Sequence, residues 1–140
     1  MTVQLTDADR ALLARPLNAI LTVAPAPGGR PMPRPVWFEH LADGTVEMIS
    51  YTGALRVQRL REDPWAAVLV AAPVGETEHW VSLEGKATVH ADGAGETMTR
   101  LAARYWDLDD PKHKAELDEF LAADTVRIVL QPERIARYRL

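Results

Sequence analysis

Thr52-Gly53 closes one strand-like run and opens a helical one, and Arg56 follows one turn inside. At such a junction free backbone N–H groups and the positive end of the helix dipole face outward, and a guanidinium can pair bidentately with phosphate. The spacing therefore predicts a phosphate seat. A plainer reading has Thr52 capping the helix while Arg56 and Arg59 are solvated, and the residues alone leave both open. Trp37 and Trp80 each alternate with inward-facing strand residues and so project outward, where a partner subunit or a flat ring ligand could cover them.

Other chemistry is poorly served. His40, His79, His90 and His113 lack metal-ligand spacing, so no metal is expected. Ser50 and Ser82 lie in no Gly-x-Ser-x-Gly elbow, which argues against a serine hydrolase. Glu84 fits a salt bridge better than a general acid or base, and no catalytic residue is named. The absence of cysteine removes disulfides, thiolate metal sites and a cysteine nucleophile, so redox chemistry would need a bound cofactor.

The elements that position these residues belong to one domain, 1–140, of ordinary globular composition: 47% hydrophobic and 26% charged. A net charge of -4 without a basic tail argues against nucleic acid, and no run reaches the length of a membrane span. The N-terminus has neither a basic region nor a long apolar run, so a cytoplasmic location is expected.

Thr6 and Asp9 form a capping-box pattern for a short first helix that Pro16 stops. Residues 18–24 read as a strand, followed by a Pro/Gly-rich loop. Residues 35–41 and 45–51 flank an Asp43-Gly44 turn and predict a hairpin. A helix over 53–62 ends at Asp63-Pro64. Residues 66–72 are apolar throughout, which predicts a strand covered on both faces. The run 79–90 alternates cleanly, with Val81, Leu83, Gly85, Ala87 and Val89 on one face. Helices follow over 95–106 and 114–123, then two closing strands, 125–130 and 135–140, around Pro132. Six or seven hairpin-linked strands with short helices favour an antiparallel barrel over a parallel sheet, and no Gly-x-Gly-x-x-Gly dinucleotide fingerprint is present.

Several motifs occur in a particular order: Gly29-Arg30-Pro31 leading into Pro35-Val36-Trp37-Phe38, then Asp43-Gly44, then Thr52-Gly53 with Arg56 and Leu60-Arg61-Glu62-Asp63-Pro64, then Trp80-Val81-Ser82-Leu83-Glu84-Gly85-Lys86-Ala87. In this order and spacing the chain, over roughly 13–105, resembles the pyridoxamine 5'-phosphate oxidase-like FMN-binding split β-barrel proteins, in particular the subgroup that uses the deazaflavin coenzyme F420.

The resemblance implies a mainly β fold with short helices, a split antiparallel β-barrel. It implies a homodimer with cofactor sites at the subunit interface. On the same basis Pro35, Val36 and Trp37 line the ring, Ile49, Ser50 and Thr52 approach the ribityl chain and phosphate, Arg56 with Val57 beside it binds the phosphate, and Trp80 comes from the partner chain. The activity implied is an oxidoreductase moving a hydride from reduced F420 to a small conjugated acceptor, with an FMN-dependent oxidoreductase or a non-catalytic flavin, deazaflavin or heme binder as alternatives. Many relatives carry lysine where this chain has Arg56, arginine where it has Gln58 and asparagine where it has Arg59. A planar fork thus replaces a point charge, and F420 and FMN both stay open. The segment 107–124 has no carried-over pattern and is expected to shape the substrate opening.

Overall fold

Thr6 and Asp9 open the first helix of the computed structural model, which describes residues 4–140. Met1, Thr2 and Val3, on which the reading of the N-terminus and the start of the 1–140 domain fall, lie outside the described residues. The Thr6 hydroxyl oxygen accepts from the Asp9 N–H at 3.1 Å and the Asp9 carboxylate from the Thr6 N–H at 2.8 Å, starting α1 (Asp7–Leu13) with the expected capping box.

Ten further elements follow: β1 (Ala19–Val23), β2 (Arg34–Val36), β3 (Glu39–His40), β4 (Val46–Tyr51), α2 (Leu55–Glu62), β5 (Trp65–Ala71), β6 (His79–His90), α3 (Ala94–Tyr105), α4 (Pro111–Ala122) and β7 (Thr125–Arg139). The strands form one seven-stranded sheet in the order β2-β1-β5-β6-β7-β4-β3, with every pair antiparallel. Its two edge strands, β2 and β3, are separated by only Trp37 and Phe38. A flat sheet of seven strands would hold its edges about 29 Å apart, at about 4.8 Å per strand. The chain from Val36 to Glu39 reaches at most about 11 Å. The sheet must therefore curl into a barrel whose seam is Trp37-Phe38.

This seam corrects the sequence reading of 35–41 as one strand: the run breaks so that its first part pairs with β1 and its last part with β4. Phe38, at the break, is fully buried in the barrel with Leu21, Met48, Val68, Val81, Leu83, Ile128 and Leu130. Each such side chain contributes about 1.5–3 kcal/mol of transfer free energy. The Asp43-Gly44 turn forms as expected, with Gly44 at φ 91° and the Asp43 carboxylate accepting from Thr45 N–H and Oγ1–H.

β6 runs over the expected residues, with Val81, Leu83, Gly85 and Ala87 buried. β7 does not divide at Pro132 as expected. It is one strand of 15 residues paired along the whole of β6, and the ladder absorbs Pro132 by a register shift between Glu84 and Gly85. A Cβ on Gly85 would stand 2.1 Å from the Gln131 carbonyl oxygen, so only glycine admits this close approach.

Among the described residues no helix covers the outer face of β5, and the expected cover by a partner subunit lies outside a single chain. Burial along β5 alternates: Ala66, Val68 and Val70 face the core, while Trp65, Leu69 and Ala71 are exposed. Within the chain β4 is covered on both faces, because α3 packs outside it. There the buried Glu47 carboxylate accepts from Thr97 Oγ1–H at 2.8 Å and Arg100 at 3.2 Å, with Arg127 at 3.6 Å. Among the described residues no helix is long and apolar enough to cross a membrane.

Candidate functional site

Where the seam meets the end of β4, a cavity of about 330 Å³ opens between the barrel and the α3–α4 pair. Pro35, Val36 and Trp37 come from the seam, Ile49, Ser50 and Tyr51 from β4, and Arg56 from α2. Met98 and Leu101 of α3, Trp106, Glu116 and Phe120 of the α4 side, and Thr125 of β7 complete the wall. The expected residues Pro35, Val36, Trp37, Ile49, Ser50 and Arg56 are thus brought together.

The other three expected residues lie elsewhere in the chain's own fold. Thr52 is tied to the start of β7: its N–H donates to the Asp124 carbonyl at 3.0 Å and its hydroxyl to the Asp124 carboxylate at 2.8 Å. Accordingly Thr52 does not cap α2, whose N-cap is Ala54 with no side-chain bond. Val57 is buried beneath α2. Trp80 stands on the outer face of β6, stacked on Tyr138 at 6.4 Å beside Leu69, Ala71 and Ala136.

Arg56 and Arg59, three apart, have different fates. Arg59 is buried and neither solvated nor free: it donates to the Ala24 carbonyl at 3.1 Å and the Pro25 carbonyl at 3.0 Å, and it pairs with Glu62. It fastens the loop after β1 onto α2. Arg56 is half-buried and has no hydrogen bond or ion pair among the described residues. Burial lowers its pKa from the ordinary arginine value, and the nearby positive charge of Arg34 lowers it further. A guanidinium held near another cation and without a carboxylate keeps its donors available to an anion.

Arg56 also lines a second groove of about 600 Å³, shared with Arg30, Arg34 and Arg59 and the backbone of the loop after β1. Among the described residues no carboxylate lines it. The apolar cavity and the cationic groove therefore meet at Arg56.

The aromatic wall is fixed from α3. Trp37 stacks on Tyr105 and meets Trp106 edge-on, both at 4.7 Å, and Trp106 stacks in turn on His113 at 4.8 Å. Tyr105 Oη–H donates to the Leu17 carbonyl at 2.6 Å and its oxygen accepts from the Phe38 N–H at 3.1 Å. Arg104 reaches the Leu13, Ala14, Arg15 and Phe38 carbonyls, closing the end of α1 against the seam. Met98 and Leu101 carried the helical stripe of α3 in the sequence, but a stripe does not tell a cavity wall from a core. Glu116 and Phe120 fall in the segment expected to shape the opening, and periodicity gives them no direction.

The residues present suit a phosphorylated ring cofactor: an apolar aromatic slot continuous with an unpartnered guanidinium. Comparison with known proteins agrees with the architecture. A structure described as an F420 reductase superposes with a TM-score of 0.73 at 23% identity, covering 94% of this chain and 98% of that one. A conserved hypothetical protein of Mycobacterium tuberculosis gives 0.73 at 19%, covering 98% and 86%. The heme storage protein of Vibrio cholerae gives 0.71 at 14%, covering 98% and 95%. No curated protein matches the sequence. The family model for pyridoxamine 5'-phosphate oxidase matches residues 5–137, so the chain belongs to that family and its curled seven-stranded sheet is a split β-barrel.

Proposed function

We propose that the protein is an oxidoreductase that binds coenzyme F420 and transfers a hydride from its reduced form to a small conjugated acceptor. The observation that carries this reading is Arg56: a half-buried guanidinium without a carboxylate, standing where an aromatic cavity runs into an arginine-lined groove. FMN ends at its phosphate, whereas F420 continues into a tail of carboxylates. A groove with Arg30 and Arg34 beyond Arg56, and no acid in its wall, favours the longer anion.

When bound and reduced, F420 supplies the hydride. The chain's residues do the remainder. Trp37, held by Tyr105, offers a flat wall for the ring, and Met98, Leu101 and Phe120 exclude water from it. Ser50 and Thr125 stand in the wall where the polar linker would pass. Arg56 neutralises the phosphate.

The same reading makes the protein a homodimer. Ile20, Leu69 and Tyr138 are 37–41% exposed on the outer sheet face, next to Trp80, and a second copy laid on that face would bury them and bring Trp80 towards the partner's site. On the same reading we place the protein in the cytoplasm, as one domain. A storage or carrier role draws support from the likeness to the Vibrio cholerae heme storage protein. Against heme, no imidazole is among the described residues that line the cavity.

Titration of the purified protein with F420 and with FMN, read by fluorescence, tests the reading. Tighter binding of F420, followed by oxidation of reduced F420 in the presence of a quinone or enone acceptor, is expected. Binding without turnover would leave a carrier, and binding of neither cofactor would overturn the assignment.

A further inference from the structure

Among the described residues, Glu116 is the one carboxylate in the wall of the apolar cavity. On α4 it shares a face with His113, three residues before it, and Phe120, four after, while Asp118 and Glu119 point to solvent. The other shielded carboxylates described above are all occupied. Asp9 holds His79 and Arg137, Glu47 holds Thr97 and Arg100, and Glu39 holds Arg100. Glu116 has no hydrogen bond or ion pair among the described residues. His113 does not serve it: that ring lies on Trp106, with Nδ1 3.3 Å from the Asp107 carbonyl and 3.9 Å from the Asp110 carboxylate. Arg56, in the same wall, makes no ion pair with it.

A half-buried carboxylate left without a partner beside apolar walls is costly, and a ligand that brings a donor or a positive charge removes that cost. The anionic tail cannot be this ligand, because it would face like charge at Glu116 and has Arg56 and the arginine groove to receive it. We infer that Glu116 is a specificity-determining residue: it selects conjugated ring substrates that carry a protonated nitrogen and rejects those that carry a carboxylate. To call the ligand a substrate rests on the cofactor reading above; the charge preference of the cavity does not.

The probes are three nitrobenzene derivatives of similar size: 4-nitrobenzylammonium, 4-nitrobenzyl alcohol and 4-nitrobenzoate. Binding is read by quenching of tryptophan fluorescence, since Trp37 and Trp106 line the cavity. The wild-type protein should prefer the ammonium over the alcohol by about tenfold, with the benzoate weakest, the size expected of one partly solvated charge-assisted hydrogen bond. Glu116→Gln should bring the ammonium and alcohol together to within about twofold. Glu119→Gln, on the exposed side of the same helix, should keep the tenfold preference. The inference is overturned if wild type does not favour the ammonium, if Glu116→Gln retains the preference, or if Glu119→Gln abolishes it equally. F420 and FMN titrated in parallel give a separate answer: failure of both sinks the cofactor reading and leaves the ammonium-to-alcohol ratio to judge Glu116 alone.

Discussion

Trp37 lies flat on Tyr105, ring centroids 4.7 Å apart and planes 2° from parallel. One ring forms the cavity wall and the other ends α3, so the last turn of a helix outside the barrel sets the angle of the surface a planar ligand meets. Tyr105 in turn is held by Leu17 and Phe38 through its hydroxyl.

Stacking and hydrogen bonding at Tyr105 can be separated. Tyr105→Phe keeps the ring and leaves the Phe38 N–H without its acceptor, which should cost about 1–3 kcal/mol of stability with little loss of cofactor affinity. Tyr105→Leu removes the stack and should also weaken cofactor binding, by about 0.5–1.5 kcal/mol. Denaturant unfolding together with fluorescence titration measures both, and equal loss of affinity in the two variants would refute the positioning role.

Arg56→Ala should weaken cofactor binding by about 1.5–3 kcal/mol, the range for hydrogen bonds to a charged group, while leaving the melting temperature nearly unchanged. Arg56→Lys should fall between, since it restores charge without the fork. Arg59→Ala should lower the melting temperature instead, because Arg59 holds the Ala24 and Pro25 carbonyls. Unchanged affinity in Arg56→Ala would remove Arg56 from the site.

Asp9 sets the acid limb of stability. Burial of this fully enclosed carboxyl raises its pKa, but bonds from Arg137, Thr6 and His79 outweigh burial and hold it below the ordinary carboxylate value. A carboxyl depressed in the folded state stabilises above its unfolded pKa, about 3.9, and that stability is lost as pH falls through the lower folded value. Asp9→Asn should therefore cost about 3 kcal/mol near pH 7 by breaking a buried charged pair, and the gap from wild type should narrow below about pH 4. Urea unfolding at several pH values reads this; a gap that widens on acidification contradicts it.

Gly85→Ala should destabilise by about 3 kcal/mol or more, since the new methyl would meet the Gln131 carbonyl where both are backbone-fixed. Thermal unfolding measures the loss. An unaffected melting temperature would mean that the β6–β7 ladder can slide to make room.

Leu69→Lys places a charge at the centre of the exposed apolar face of β5. The homodimer proposed above should then dissociate, observed by light scattering as a halving of mass at micromolar concentration, with circular dichroism unchanged. Retained dimer mass would move the interface elsewhere.

Local rules sufficed wherever one element answers to its own residues. The Thr6–Asp9 capping box, the Asp43-Gly44 turn and the alternation of β6 need no distant partner, and each formed as the sequence predicts. The motif order likewise pointed to the split barrel and to six residues of the cavity wall, Pro35, Val36, Trp37, Ile49, Ser50 and Arg56. Tertiary structure decided the rest. Residues 35–41 break at Trp37-Phe38 because the two sheet edges must meet there, and β7 runs through Pro132 because Gly85 opposite leaves room for it. Two arginines three apart in one helix could not be told apart by type. Their neighbours separated them: the carbonyls of a loop some 35 positions away occupy Arg59 and leave Arg56 without a partner among the described residues. Sequence spacing specifies what a side chain can bond, and only the closed fold settles which bonds are already taken.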